Sequence, residues 1–352
     1  MSSDELDIEQ RPALQSYLHG RFAPRSEYEI VEFEVLAGGV SSRTVRVKLH
    51  GGQEWVLKQA LAKLRVAADW FSDPRRVHRE ALGMRVLGEL APPGSVPKLI
   101  FDDETHHVLA MEAVPQPHEN WKTRMLRGRV DGDFAALFGI MLGRIHSRSQ
   151  ARSAELQPLF ADRTFFETLR LEPYYLYSAQ QEPRAAEFYE RLIAETRATA
   201  TALVHGDYSP KNVLVVDGRS LLERFESRTQ IGPDEEIATI GAPRPGPFPI
   251  ILLDHEVCHW GDPAFDVGFA LTHFLSKAHH RPLIRTAFVS LATFFFTSYA
   301  STFTEAGTPL NSVACVRHTL GCLLARVVGR SPLEYLSQQE RDRQREAVVR
   351  LI

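Results

Sequence analysis

The stretch that most constrains what this chain can become is His205-Gly206-Asp207-Tyr208-Ser209-Pro210-Lys211-Asn212. The apolar run Ala202-Leu203-Val204 leads into it and Val213-Leu214-Val215-Val216 leads out. Short apolar runs bounded by turn residues read as buried strands. The turn between them therefore presents an acid, and an amide five residues later, at one end of a sheet. Further on, Ile250-Ile251-Leu252-Leu253 is another apolar run, and it ends on Asp254-His255-Glu256. Acids at the rim of a buried sheet suit chemistry on a hydroxyl proton or a hard cation.

The Asp207-to-Asn212 spacing, followed by an acid at the end of the next strand, resembles the protein-kinase-like fold. The likeness is greatest to its aminoglycoside phosphotransferase and choline kinase-like family of small-molecule kinases. That family writes its catalytic loop as His-Gly-Asp with a spaced Asn, and replaces Asp-Phe-Gly by an Asp-x-Glu segment. The resemblance implies an α+β, two-lobed fold with a small antiparallel-sheet N-lobe and a larger, mainly helical C-lobe. The lobes are expected at residues 1–113, binding nucleotide, and 114–352, carrying catalysis and substrate. It also implies ATP and Mg²⁺ as cofactors and a hydroxyl of a small molecule as acceptor, whether sugar, amino alcohol or aminoglycoside-like. In that scheme Asp207 is the catalytic base, and Asn212 and Asp254 are the metal ligands. His205, Glu256 and Asp266 support them from behind, Asp266 by capping a long helix and bracing the catalytic loop.

The N-terminal third reads as a small sheet. Residues Ile8 to Phe22 form an amphipathic helix, and alternation then predicts strands over Tyr28–Val35, Thr44–Leu49 and Glu54–Lys58. The loop with Gly38, Gly39, Ser41 and Ser42 lies between the first two, where glycine lets backbone N–H groups approach phosphate oxygens. Lys58 should face away from Trp55 and Leu57, and the following helix carries Glu80 in its first or second turn. An ion pair between these two would aim the lysine at the α- and β-phosphates, as the resemblance implies. Glu89, toward the far end of that helix, is the fallback partner. Two more strands are read over Val96–Asp102 and Val108–Glu112; the resemblance makes Met111 the gate residue behind the base and Glu112 the start of the inter-lobe connector, whose backbone would meet the adenine. His106-His107 and His279-His280 read as solvated pairs, since adjacent side chains on a turn point apart.

The remainder is expected to be helical. His146 reads as a core histidine, and Phe160 to Thr199 as helix broken near Pro173 and Pro183. Residues 217–249, polar and then proline-rich, read as a mobile insertion or flap. Thr286 to Thr304 has no charge, but its serines and threonines favour a buried helix over a membrane span. Arg326 and Glu334 fit a cleft or a surface equally. Acids at Glu172, Glu182 and Asp262 would suit an aminoglycoside, and Tyr174, Tyr175 and Trp260 would suit choline.

A net charge of −3 gives no reason to expect nucleic acid or an anionic membrane as partner. Three scattered cysteines show no disulfide or zinc spacing, and the acidic start has no secretory pattern, so a cytoplasmic location is expected. Two other functions compete. A metal-dependent hydrolase built from His205, Asp207, Asp254, His255 and His259 leaves Lys58, Glu80 and Asn212 without a task. A non-catalytic nucleotide-binding protein has no need for every catalytic position to be filled. A protein kinase is disfavoured, because Trp260-Gly261-Asp262-Pro263 stands where Ala-Pro-Glu and an activation loop belong.

Overall fold

The computed structural model describes residues 6–36, 42–63, 65, 71–216, 248–305, 307 and 309–352. The expected flap therefore lies almost wholly outside the described residues, as do Gly38, Gly39 and Ser41. The chain divides into two compact units. The first comprises Met1–Gly88, Val96–Pro115 and Asp254–Glu256, and the second Glu89–Ser95, Gln116–Leu253 and Val257–Ile352.

In the first unit, β1 (Ile30–Val35), β2 (Ser42–Leu49), β3 (Glu54–Ala60), β4 (Leu99–Asp103) and β5 (Val108–Glu112) form an antiparallel sheet in the order β1-β2-β3-β5-β4. Strand alternation sorts its side chains. Val45, Val47, Trp55 and Leu57 pack on one face with Ile8, Leu14 and Leu18. Ala60, Leu109 and Met111 pack on the other with Val77, Ala81 and Met84 of α2 (Arg76–Leu90). The first helix, α1 (Arg11–Phe22), starts at Arg11 rather than near Ile8, with Pro12 in its first turn, where a missing N–H breaks no helical bond. Ile8 is buried all the same.

The second unit is mainly helical: α3 (Trp121–Leu126), α4 (Gly132–Ala151), α5 (Ser153–Phe160), α6 (Ala186–Ala198), α7 (Pro263–His280), α8 (Arg285–Thr304), α9 (Ser312–Val328) and α10 (Gln338–Val349). Between α5 and α6 the chain winds as a π-helix over Glu167–Leu176. Pro173 sits inside this stretch instead of breaking it, because the wider turn relieves the clash of its ring with the preceding turn. One small sheet has the order β6-β8-β9, from His118–Asn120, Val213–Val216 and Ile250–Leu252. Another pairs β7 (Ala202–Val204) with β10 (His259–Gly261). The two runs flanking His205–Asn212 thus belong to different sheets, where the sequence suggested one. Their shared apolarity shows that both are buried, not which strand each pairs with.

The apolar segment Pro282–Thr304 is long and apolar enough to cross a membrane by length and composition. The segment is buried along one face. It covers α4 and α7 with Phe288, Leu291, Phe295, Tyr299 and Phe303, while Phe294 and Val289 remain nearly half exposed. The close approach to α4 depends on Gly139, whose hypothetical Cβ would fall on the Phe295 carbonyl oxygen.

Candidate active site

Two groups of polar side chains account for most of the residues singled out in the sequence. In the first unit, β3 alternation turns Lys58 toward α2, on the face opposite Trp55 and Leu57. Lys58 Nζ lies 2.7 Å from both carboxylate oxygens of Glu80 and 3.4 Å from Asp254 Oδ1. Burial alone would lower the lysine pKa, but the Glu80, Asp254 and Glu256 carboxylates outweigh it and hold the ammonium charged. Burial pushes Glu80 upward, Asp254 and Glu256 add to that, and Lys58 opposes it. Asp254 has a φ of 66°, a left-handed backbone uncommon outside glycine, of the kind retained at ligand clamps. Glu256 Oε2 accepts from Nε of the fully buried Arg76 at 3.1 Å, and Arg76 is further tied to the Leu61, Ser72 and Asp73 carbonyls. Glu256 is thus anchored to the start of α2. Glu89, the alternative partner for Lys58, instead meets Arg152 at the surface.

In the second unit, the loop after β7 is held from beneath by Asp266. Its carboxylate accepts from the His205 N–H at 2.6 Å and the Gly206 N–H at 2.8 Å, and His146 touches it at 3.3 Å. The expected helix cap is a correction: Asp262, not Asp266, caps α7 by accepting from the Ala264 N–H. Asp266 lies one turn inside the helix, where its carboxylate serves the loop instead. Gly206 has a φ of 77° and sits against Val257, so only glycine fits there. Three donors converge on Asp207 Oδ2: Asn212 Nδ2 at 2.8 Å, Lys211 Nζ at 2.9 Å and Arg170 Nη2 at 3.0 Å. Arg170, from the π-helical stretch, also donates to the Gly206 carbonyl at 2.7 Å. The Asp207 N–H in turn donates to His205 Nδ1 at 3.2 Å.

A model of the phosphotransferase enzyme family matches residues 32–222, more than half of the chain. The chain belongs to the phosphotransferase enzyme family. Choline kinase LicA from Streptococcus pneumoniae is similar in structure, with a TM-score of 0.50 at 12% identity over 96% of this chain and 98% of that one. Macrolide 2'-phosphotransferase MphH from Brachybacterium faecium aligns at 18% identity over 95% and 98% of the two chains, with a TM-score of 0.46. An aminoglycoside phosphotransferase from Alicyclobacillus acidocaldarius subsp. acidocaldarius DSM 446 aligns at 12% identity over 93% of each, with a TM-score of 0.47. A comparison with curated proteins finds no match. The phosphotransferase has the protein-kinase-like fold, with its antiparallel sheet N-terminal and its helical part C-terminal. It is a small-molecule phosphotransferase.

Membership of a phosphotransferase family speaks against the hydrolase alternative. His259 stacks on Phe166 at 3.9 Å and its Nδ1 contacts the Val257 carbonyl. Among the described residues, the only group of three or more metal-capable side chains is Glu80, Asp254 and Glu256, with no histidine. Ser42 is buried at the start of β2, Met111 lies on the α2 side of the sheet, and Glu112 is exposed at the end of β5. Two arginines without a sequence motif also meet Glu256 and Asp207. Arg76 stands four residues before Glu80, and Arg170 sits in a helical stretch without a motif, so only the folded chain gives either a partner.

Proposed function

We propose that this phosphotransferase moves the γ-phosphate of ATP to a hydroxyl of a small molecule with the help of Mg²⁺. The observation that carries the reading is Lys58, an ammonium fixed by both oxygens of a buried glutamate and adjacent to a carboxylate at the end of an apolar strand. Lys58 binds phosphate oxygens, and Glu80 keeps it aimed. The donor set fits the metal: Glu80, Asp254 and Glu256 offer oxygens within 4.8 Å of one another, and hard oxygens suit Mg²⁺. Asp254 takes the ligand role. Asn212, whose Nδ2 donates to Asp207, is the second ligand of this proposal. When bound, Mg²⁺ neutralises charge on the phosphates.

Asp207 orients the acceptor hydroxyl and takes its proton. Three donors share its Oδ2 and fix its place, so positioning contributes more than basic strength, as a loose phosphoryl transition state allows. The Glu112 N–H is donated to the Lys98 carbonyl and the Ala113 N–H to the Glu54 carbonyl. Recognition of adenine at this strand end would therefore use carbonyls and the Val114 N–H. The test is ADP release with Mg·ATP over sugars, amino alcohols, hydroxy acids and aminoglycosides, with Asp207→Ala as the blank. Acceptor-dependent release should fall by about a thousandfold or more in the blank. Turnover that persists without nucleotide, or equal release from the blank, would refute the proposal.

A further inference from the structure

We infer that the acceptor carries an anionic group, a carboxylate or a phosphate, received by Arg326 and Lys277 in the second unit; this rests on the proposed role of Asp207. The path to Arg326 starts at Asp207 and runs through one aromatic ring. Arg170, paired with Asp207, has its guanidinium 5.8 Å from the centre of the Tyr174 ring. The Arg326 guanidinium lies 5.5 Å from the same ring, and its Nη1 donates to the Tyr174 hydroxyl at 2.8 Å. Arg170 has a carboxylate to balance it. Arg326 is only 7% exposed and meets neutral partners, Tyr174 and Ser331, while its Nε has none.

Lys277 repeats the pattern one helix away. It is fully buried on α7, its ammonium donates to the His273 carbonyl at 3.2 Å, and it lies 5.3 Å from the Tyr335 ring. Among the described residues no carboxylate pairs with either Lys277 or Arg326. Burial, then Lys122 and Arg326, pull Lys277 down to about 7 against the opposing pull of Glu334. Burial first, then Lys277 and Arg326, hold His273, buried one turn earlier, well below the usual histidine range.

An unbalanced buried cation is costly, and such arrangements concentrate where a ligand supplies the missing charge. An entering anion would pair with Arg326 in bidentate fashion and restore the Lys277 charge. The acids that a cationic acceptor would need are otherwise engaged. Asp262 caps α7 and meets His318, Glu182 is held by Arg184 and Arg345, and Glu172 faces Arg330. The aromatic residues form no cage either: the Tyr175 hydroxyl contacts His318, and the Trp260 indole donates to the Ala200 carbonyl.

Thermal unfolding with malonate, and separately with inorganic phosphate, tests the site without catalysis and tells a carboxylate from a phosphate. One or both should stabilise the wild type and Lys58→Met. The shift should vanish in Arg326→Met and partly return in Arg326→Lys. If Arg326→Met does not fold, Lys277→Met takes its place, with a higher Tm in the absence of anion and a reduced anion shift. No shift in the wild type, or an unchanged shift in these variants, overturns the inference. ADP release then compares hydroxy acids and sugar phosphates with their uncharged parents and with aminoglycosides. Preference for the anionic acceptors is expected, with their KM raised about tenfold or more in Arg326→Met and the KM for ATP unmoved. Transfer confined to neutral or cationic acceptors overturns the anion site and leaves phosphotransfer standing. An anion shift with no ATP-dependent transfer to any acceptor overturns the catalytic reading instead.

Discussion

At Asp207 an arginine, a lysine and an amide share one carboxylate oxygen, so each sets the position of the others. Arg170→Met should lower kcat by about a hundredfold with little change in the KM for ATP, because it lets the carboxylate shift within an otherwise intact loop. Arg170→Lys should recover part of the loss, and steady-state kinetics with the preferred acceptor decides the matter. Lys277 bears on stability through its charge. Its folded value of about 7 lies below the ordinary 10.5, so between those values the unfolded chain binds the extra proton. Stability of the wild type therefore rises with pH across that window, and protonation below it is already present in both states. Lys277→Met should flatten this rise and be the more stable protein at neutral pH, read by urea unfolding at neutral and alkaline pH. It should also bind the acceptor less well, the exchange of stability for function expected at a binding site.

Among the elements, the contact of α4 with α8 depends on a glycine. Helix propensity alone favours Gly139→Ala by about 1 kcal/mol. The new methyl would meet the Phe295 carbonyl and come within 2.9 Å of the Tyr299 nitrogen, neither of which is a flexible side-chain end. A net loss of about 2–3 kcal/mol is expected from overpacking, measured by denaturant unfolding. The loop that carries Asp207 depends on α7 in a different way. Asp266→Ala strips the acceptor from two buried N–H groups, at a cost of about 1–3 kcal/mol each. Activity should fall further than in a variant of equal stability altered at α4, because Asp266 holds two backbone N–H groups of the loop that carries Asp207.

For the whole molecule, Mg·ATP at a hundred times its Kd should add about 2.7 kcal/mol of stability, seen as a higher Tm. Chelating the metal with EDTA should remove most of that gain, and Lys58→Met should reduce it. Much of this was legible in the chain itself. Alternation along β3 turned Lys58 away from Trp55 and Leu57, the period of α2 placed Glu80, and the loop spacing marked Asp207 and Asn212, because these features repeat over a few residues. A net charge of −3 averages over the chain and hides the buried cations Arg326 and Lys277. Local sequence determined which segments are strands, turns and helices, since backbone sterics and hydrophobic period act over short range. Only the tertiary structure decided the partners: Arg76 for Glu256, Arg170 for Asp207, Asp262 rather than Asp266 as the cap, and two sheets rather than one around the loop from His205 to Asn212. The partner of a charge, or of a strand edge, is whichever group packing brings within a few ångströms, and residues far apart in the chain carry no mark of that meeting.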